Sequence, residues 1–343
     1  MRVPRPVSRI VLIASAFGLA SSAALADPGA WYAEWPRTDF AKHAVPLAEI
    51  KSGGPPKDGI PSIDRPRFQH LVDGKARGWI SRLADTEPVI SLEVDGDARA
   101  YPLRILIWHE IVNDTVGGRP VAVTYCPLCN AALVFDRSAA GKILDFGTTG
   151  KLRHSDLVMY DRQTESWWQQ FTGEAIVGAM TGAQLNLVPS RLESFRNFRE
   201  RVPRGRVLVP TSPDARRYGM NPYAGYDATG QRPFLYDGEL PAGIEPMARV
   251  VAVETAPGRY EAWSLELLRR HGTIRSGDLV LTWSAGQASA LDKPLISDGR
   301  DIGNVTVQRG REGALVDTAY DVPFAFAFHA FRPGSPIHAV PIE

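Results

Sequence analysis

With 343 residues, 44% of them hydrophobic and 22% charged, the chain has the material for a full core, and wholesale disorder is excluded. A formal net charge of +1 gives it no general electrostatic reason to bind nucleic acid or anionic lipid. Its 27 prolines and 31 glycines imply frequent turns, which favours a β-rich α+β fold over a helical bundle.

The N-terminus reads as a secretory leader. Arg2, Arg5 and Arg9 form a positive start, Ile10 to Ala20 is a short apolar run, and Ala24-Leu25-Ala26 supplies a small-x-small cleavage pattern. Cleavage is expected after Ala26, giving a periplasmic or secreted protein. Removing those three arginines from the 39 basic residues leaves 36 against 38 acidic ones, so the mature chain stays near neutrality. No later apolar run is long enough to span a membrane, so no transmembrane segment is expected in the mature chain.

Residues 27–86 read as an irregular approach, with Trp31, Trp35 and a Gly53-Gly54-Pro55-Pro56 loop. Regular structure is expected from Val89. Val89 to Val94 and Ala98 to Tyr101 flank the hairpin signal Asp95-Gly96, and Pro102 suits the first turn of a short buried helix. Gly117-Gly118 marks another turn. Strands are predicted at Pro120–Tyr125, Ala131–Phe135, Leu157–Tyr160, Ser166–Phe171 and Gln184–Val188, and a surface helix at Leu192–Arg201.

A weak internal repeat lays Glu87 to Leu133 over Glu245 to Leu291 at an offset of roughly 158 residues. Tyr125 then faces Trp283, Ser284 and Gln287 stand at the places of Cys126 and Cys129, and Leu267 or Leu268 stands opposite His109. The expected organisation is two related β-rich units packed together: a site-bearing unit over 87–240 and a degenerate second unit over 241–343. On that alignment the second copy lacks the cysteines and the histidine together, as expected of one site needed once.

The pair Cys126-Pro127-Leu128-Cys129 is the main chemical signal. In an oxidising compartment a disulfide is the plain expectation, but a bridge across so short a loop stabilises little. Thioredoxin-like exchange calls for a helix N-terminus behind the first cysteine, whereas Ala131–Phe135 reads as a strand. A strand–turn–strand knuckle presenting two thiolates to zinc or copper fits better. His109, in Trp108-His109-Glu110, is the expected third ligand; His154, in Arg153-His154-Ser155-Asp156, is the expected fourth, with Asp156 as its alternative. The leading expectation is an exported metal-binding protein. A thiol–disulfide oxidoreductase working through Cys126, and a non-catalytic binding module with a structural disulfide, stand as alternatives.

These blocks carry a resemblance. Thr124-Tyr125-Cys126-Pro127-Leu128-Cys129-Asn130, Ala98-Arg99-Ala100-Tyr101-Pro102-Leu103, Trp108 to Asp114, Ser155 to Arg162 and Thr172-Gly173-Glu174-Ala175 resemble the bacterial family called domain of unknown function 3179, over roughly residues 60–335. The resemblance implies exported or membrane-associated relatives and marks Cys126, Cys129 and His109. It implies no particular reaction. At position 154 it implies Asn in many relatives, which weakens His154 as an essential ligand.

Overall fold

Alternation of apolar and polar residues between close-set turns builds short twisted strands that must pair across the chain to bury their inner faces. A computed structural model describes residues 28–340 except Glu312; the leader lies outside the described residues. The chain is β-rich, with 40% strand against 14% helix, and its small sheets are arranged as a five-bladed propeller. No helix among the described residues is long and apolar enough to cross a membrane.

The hairpin of Pro88–Val94 and Asp97–Pro102 turns at Asp95-Gly96, where both residues have positive φ. It leads into the seven-residue helix Leu103–His109, with Pro102 as N-cap. Strands Ile111–Val116, Arg119–Cys126 and Ala131–Asp136 follow as one antiparallel sheet. The same succession recurs later: hairpin Val250–Ala256 and Arg259–Ser264, helix Leu265–His271, then Thr273–Ser276, Leu279–Ser284 and Asn304–Arg311.

Each of the two hairpins is flanked alike. Arg191–Ser194 pairs antiparallel with the first hairpin and Arg206–Val209 pairs parallel with it, joined by helix Phe195–Arg201. Tyr320–Asp321 and Ile337–His338 do the same for the second hairpin, joined by helix Ala325–Phe331. The fifth sheet, of Ile50–Ser52, Phe146–Arg153, Asp156–Asp161, Trp167–Gln169 and Glu174–Val177, has no counterpart in the later stretch.

The largest apolar cluster runs from Leu71 to Phe331 and contains both cysteines, so the early and late stretches share a core. Trp31 and Trp35 pack on Trp167, which ties the N-terminal segment to the fifth sheet.

Two expectations fail here. Gln184–Val188 is not a strand: Leu185 donates to Gly173, Val188 donates to Val134 and Asn186 accepts from Asp136, so the segment bridges two sheets instead of pairing with one. Helix begins at Phe195, not Leu192, because Arg191–Ser194 is drawn into pairing with Pro88–Ser91, and Ser194 then caps the helix by accepting from the Asn197 amide.

Candidate metal centre

Strand Arg119–Cys126 ends in a tight turn, with Cys126 paired to Ala131 across it. Asn130 closes the turn at φ 52 and anchors it by donating from Nδ2 to the carbonyl of Val322 at 2.7 Å. Both thiols point inward and are buried. They are unbridged.

A second turn meets the first. His154 and Ser155 join strands Phe146–Arg153 and Asp156–Asp161, and both have positive φ, 50 and 69. Two-residue hairpins want this geometry, though asparagine or glycine usually supplies it. The Ser155 carbonyl lies 3.8 Å from Cys126 Sγ and the His154 carbonyl 4.0 Å from Cys129 Sγ. The next side chain, Asp156, is fully buried. Its Oδ2 accepts from Gln169 Nε2 at 2.7 Å and from the Phe171 amide at 2.9 Å, while Oδ1 has no N–H or O–H donor. Sγ of Cys126, Sγ of Cys129 and a carboxylate oxygen of Asp156 all lie within 4.8 Å of one another.

Burial dominates the electrostatics. It pushes Asp156 up to about 7, against the hydrogen bonds from Gln169 and Phe171, and it raises both thiols. Glu110 is pushed up to about 8, first by burial and then by the charge of Asp156. Asp321, whose Oδ1 accepts from the amides of Ala132 and Val322, is raised by burial to about 7. Asp156 and the two thiols thus share a space that without a cation retains protons, and Glu110 and Asp321 act on them through their charges.

Tyr223 and Tyr226 approach from residues 210–249, a stretch with no helix or named strand among its residues. Tyr226 donates to the Leu128 carbonyl at 3.2 Å, and Tyr223 feels the charges of Glu110 and Cys126.

The two histidines expected as ligands are not brought to the sulfurs. His109 Nδ1 lies 2.7 Å from the Pro61 carbonyl and Nε2 lies 2.9 Å from Tyr218 Oη. A carbonyl only accepts, so Nδ1 carries the proton and Nε2 accepts from the tyrosine. The imidazole is a half-buried, satisfied strut, stacked on Tyr218. The ring of His154 turns toward Glu49, at 3.4 Å, and packs edge-on to Tyr236 and Phe331; only its carbonyl faces the site. The expected absence of a histidine from the later stretch also needs correction. Each helix of the pair ends in histidine, so His271, rather than Leu267 or Leu268, stands where His109 does. A single offset fails here because strands Thr273–Ser276 and Leu279–Ser284 are shorter than their counterparts Ile111–Val116 and Arg119–Cys126.

Asp156, an alternative in the sequence, is the third member of the cluster. In the sequence Glu110 is masked by the neighbouring histidine, a residue type with a more familiar role as a ligand. Its signal was a carboxylate at the end of a buried apolar helix, with no cation adjacent in sequence.

The model of the family described as protein of unknown function (DUF3179) matches residues 57–335, which include every residue of the centre. The chain belongs to this family. No curated protein and no solved structure shows a significant match to the chain. Family membership thus frames the motif without assigning it a reaction, and the geometry carries the reading.

Proposed function

We propose that the chain is an exported metal-binding protein whose centre is Cys126, Cys129 and Asp156. The convergence of two thiols and a half-partnered carboxylate in one buried space supports this reading above all. Ionised together without a cation, these groups would place three negative charges away from water, which is prohibitive. A divalent ion offsets that charge and displaces the protons.

The donor set favours zinc over copper. Thiolates suit both, but a carboxylate oxygen is a poor partner for Cu(I) and an ordinary one for zinc. Three protein ligands leave one position for water, and the Glu110 carboxylate would add its negative charge to the field around the ion. Bound there, the ion would act as a Lewis acid. Gln169 and the Phe171 amide hold Oδ2 of Asp156 and so fix the carboxylate beside the sulfurs. Export is proposed on the leader pattern of Arg2 to Ala26.

Thiol–disulfide exchange is less well supported, because burial raises both thiols and the carboxylates Asp156, Glu110 and Asp321 raise them further. The test is elemental analysis and zinc titration of tag-free mature protein, reduced and reconstituted. About one zinc per chain is expected. Failure of reduced wild-type protein to take up zinc or copper ends the reading.

A further inference from the structure

Beside the metal centre, with Asp321 and Phe171 on its wall, a cavity of about 1060 Å³ is lined by residues from four of the five sheets, among them Leu133, Glu174, Ala252 and Arg309. Three arginines reach it, in different states. Arg153 donates to Glu49, and Arg309 is held by Asp278 and by the carbonyls of Glu254 and Thr255. Arg332 is not held. Its guanidinium lies 3.7 Å from the centre of the Tyr260 ring and makes no hydrogen bond or ion pair with any described residue. Phe171 and Phe331 stack on each other at 4.8 Å on the same wall.

Burial pulls the Arg332 pKa down, and Glu254 and Glu174 offset this only through space, so the half-buried guanidinium has an aromatic face beneath it and no anion in contact. Its fork of donors matches a carboxylate. Glu174, Glu254 and Asp321 also line the cavity, so a dianion would meet repulsion that a monoanion meets only weakly. Phe171 and Phe331, both nearly buried, contribute apolar surface to this wall.

We propose that this cavity binds a small monoanionic organic acid with an aromatic body, its carboxylate paired with Arg332 and its ring against Phe331 and Phe171. This site needs no metal, although Asp321 and Phe171 of its lining also adjoin the metal centre.

The test uses the mature full-length chain and 4-fluorophenylacetate, with fluorine NMR as the readout. The uncharged amide of the same acid and inorganic phosphate serve as comparators. The acid is expected to bind, and the amide and phosphate to bind at least about tenfold more weakly, in line with loss of a charge-assisted hydrogen bond. Arg332→Gln is expected to weaken the acid by a similar factor and leave the amide unchanged, whereas Cys126→Ser leaves the acid unchanged. No binding of the acid, equal binding of acid and amide, or undiminished binding by Arg332→Gln would overturn the proposal. Should Arg332→Gln not fold, the comparison of acid with amide on the wild-type chain decides alone.

Discussion

Glu110 and Gly272 occupy one structural position in two stretches of the same chain. Each follows a seven-residue helix at positive φ, 58 and 68, and each donates its amide to the leucine four residues back. Each accepts through its carbonyl from the aromatic residue near the end of a later strand, Tyr125 in one case and Trp283 in the other, at 2.8 Å. Glycine fits this backbone freely, whereas a glutamate there is strained, and its carboxyl is buried besides.

Such strain is tolerated where a side chain has work to do. Glu110→Gly is therefore expected to stabilise the metal-free fold by about 1 kcal/mol or more, by relieving the backbone and removing a buried carboxyl. The same change is expected to weaken zinc binding. Urea denaturation and zinc competition on one preparation check both signs. A destabilised Glu110→Gly chain would show that the carboxyl holds the fold and not the metal.

Ligand identity separates the residues near the centre. Cys126→Ser, Cys129→Ser and Asp156→Asn are each expected to lower zinc affinity by more than the roughly 10–100-fold typical of an outer-shell partner, and Gln169→Ala by about that amount. His109→Gln and His154→Asn are expected to keep stoichiometric zinc, since neither ring faces the sulfurs. Zinc lost from His109→Gln at unchanged stability would contradict the assignment.

Protonation gives the metal-free protein a distinctive pH response. Asp156 and Asp321 near 7 and Glu110 near 8 hold protons in the folded state that the unfolded chain releases at about pH 4. The folded state binds more protons across that window, so this contribution to stability is fully present below about pH 4 and is lost as pH rises toward about 8. Saturating zinc is expected to oppose the trend, because the metal needs the deprotonated ligands and binds more tightly as pH rises. Thermal melts across the window, with and without zinc, measure both slopes. A metal-free chain that gains stability from pH 5 to pH 8 would count against a protonated centre.

The helix that ends at Glu110 is set by a buried ion pair. Arg104 donates through Nε to Glu87 Oε2 at 2.7 Å and closes a second contact with Oε1, and both side chains are nearly inaccessible. Arg104→Met leaves Glu87 buried without its cation and is expected to cost about 3–5 kcal/mol. Equilibrium unfolding in urea reads this directly. A loss under about 1 kcal/mol would mean the pair is solvated in solution.

Local chemistry alone determined a good deal. Hairpins at Asp95-Gly96 and Gly117-Gly118, the short buried helix after Pro102, and the strands on either side of the cysteines were legible, because turn residues and alternation act over a few positions. The motif around Cys126 and Cys129 identified the family and the sulfur pair. Only tertiary structure decided the third member of the cluster. Asp156 reaches the sulfurs because a strained turn from another sheet abuts the cysteine turn, a contact between residues roughly 30 apart that no periodicity encodes. Pairing across the chain likewise turned His109 to Pro61 and Tyr218, residues 48 and 109 positions away, so its side-chain type suggested a ligand where the fold made a strut.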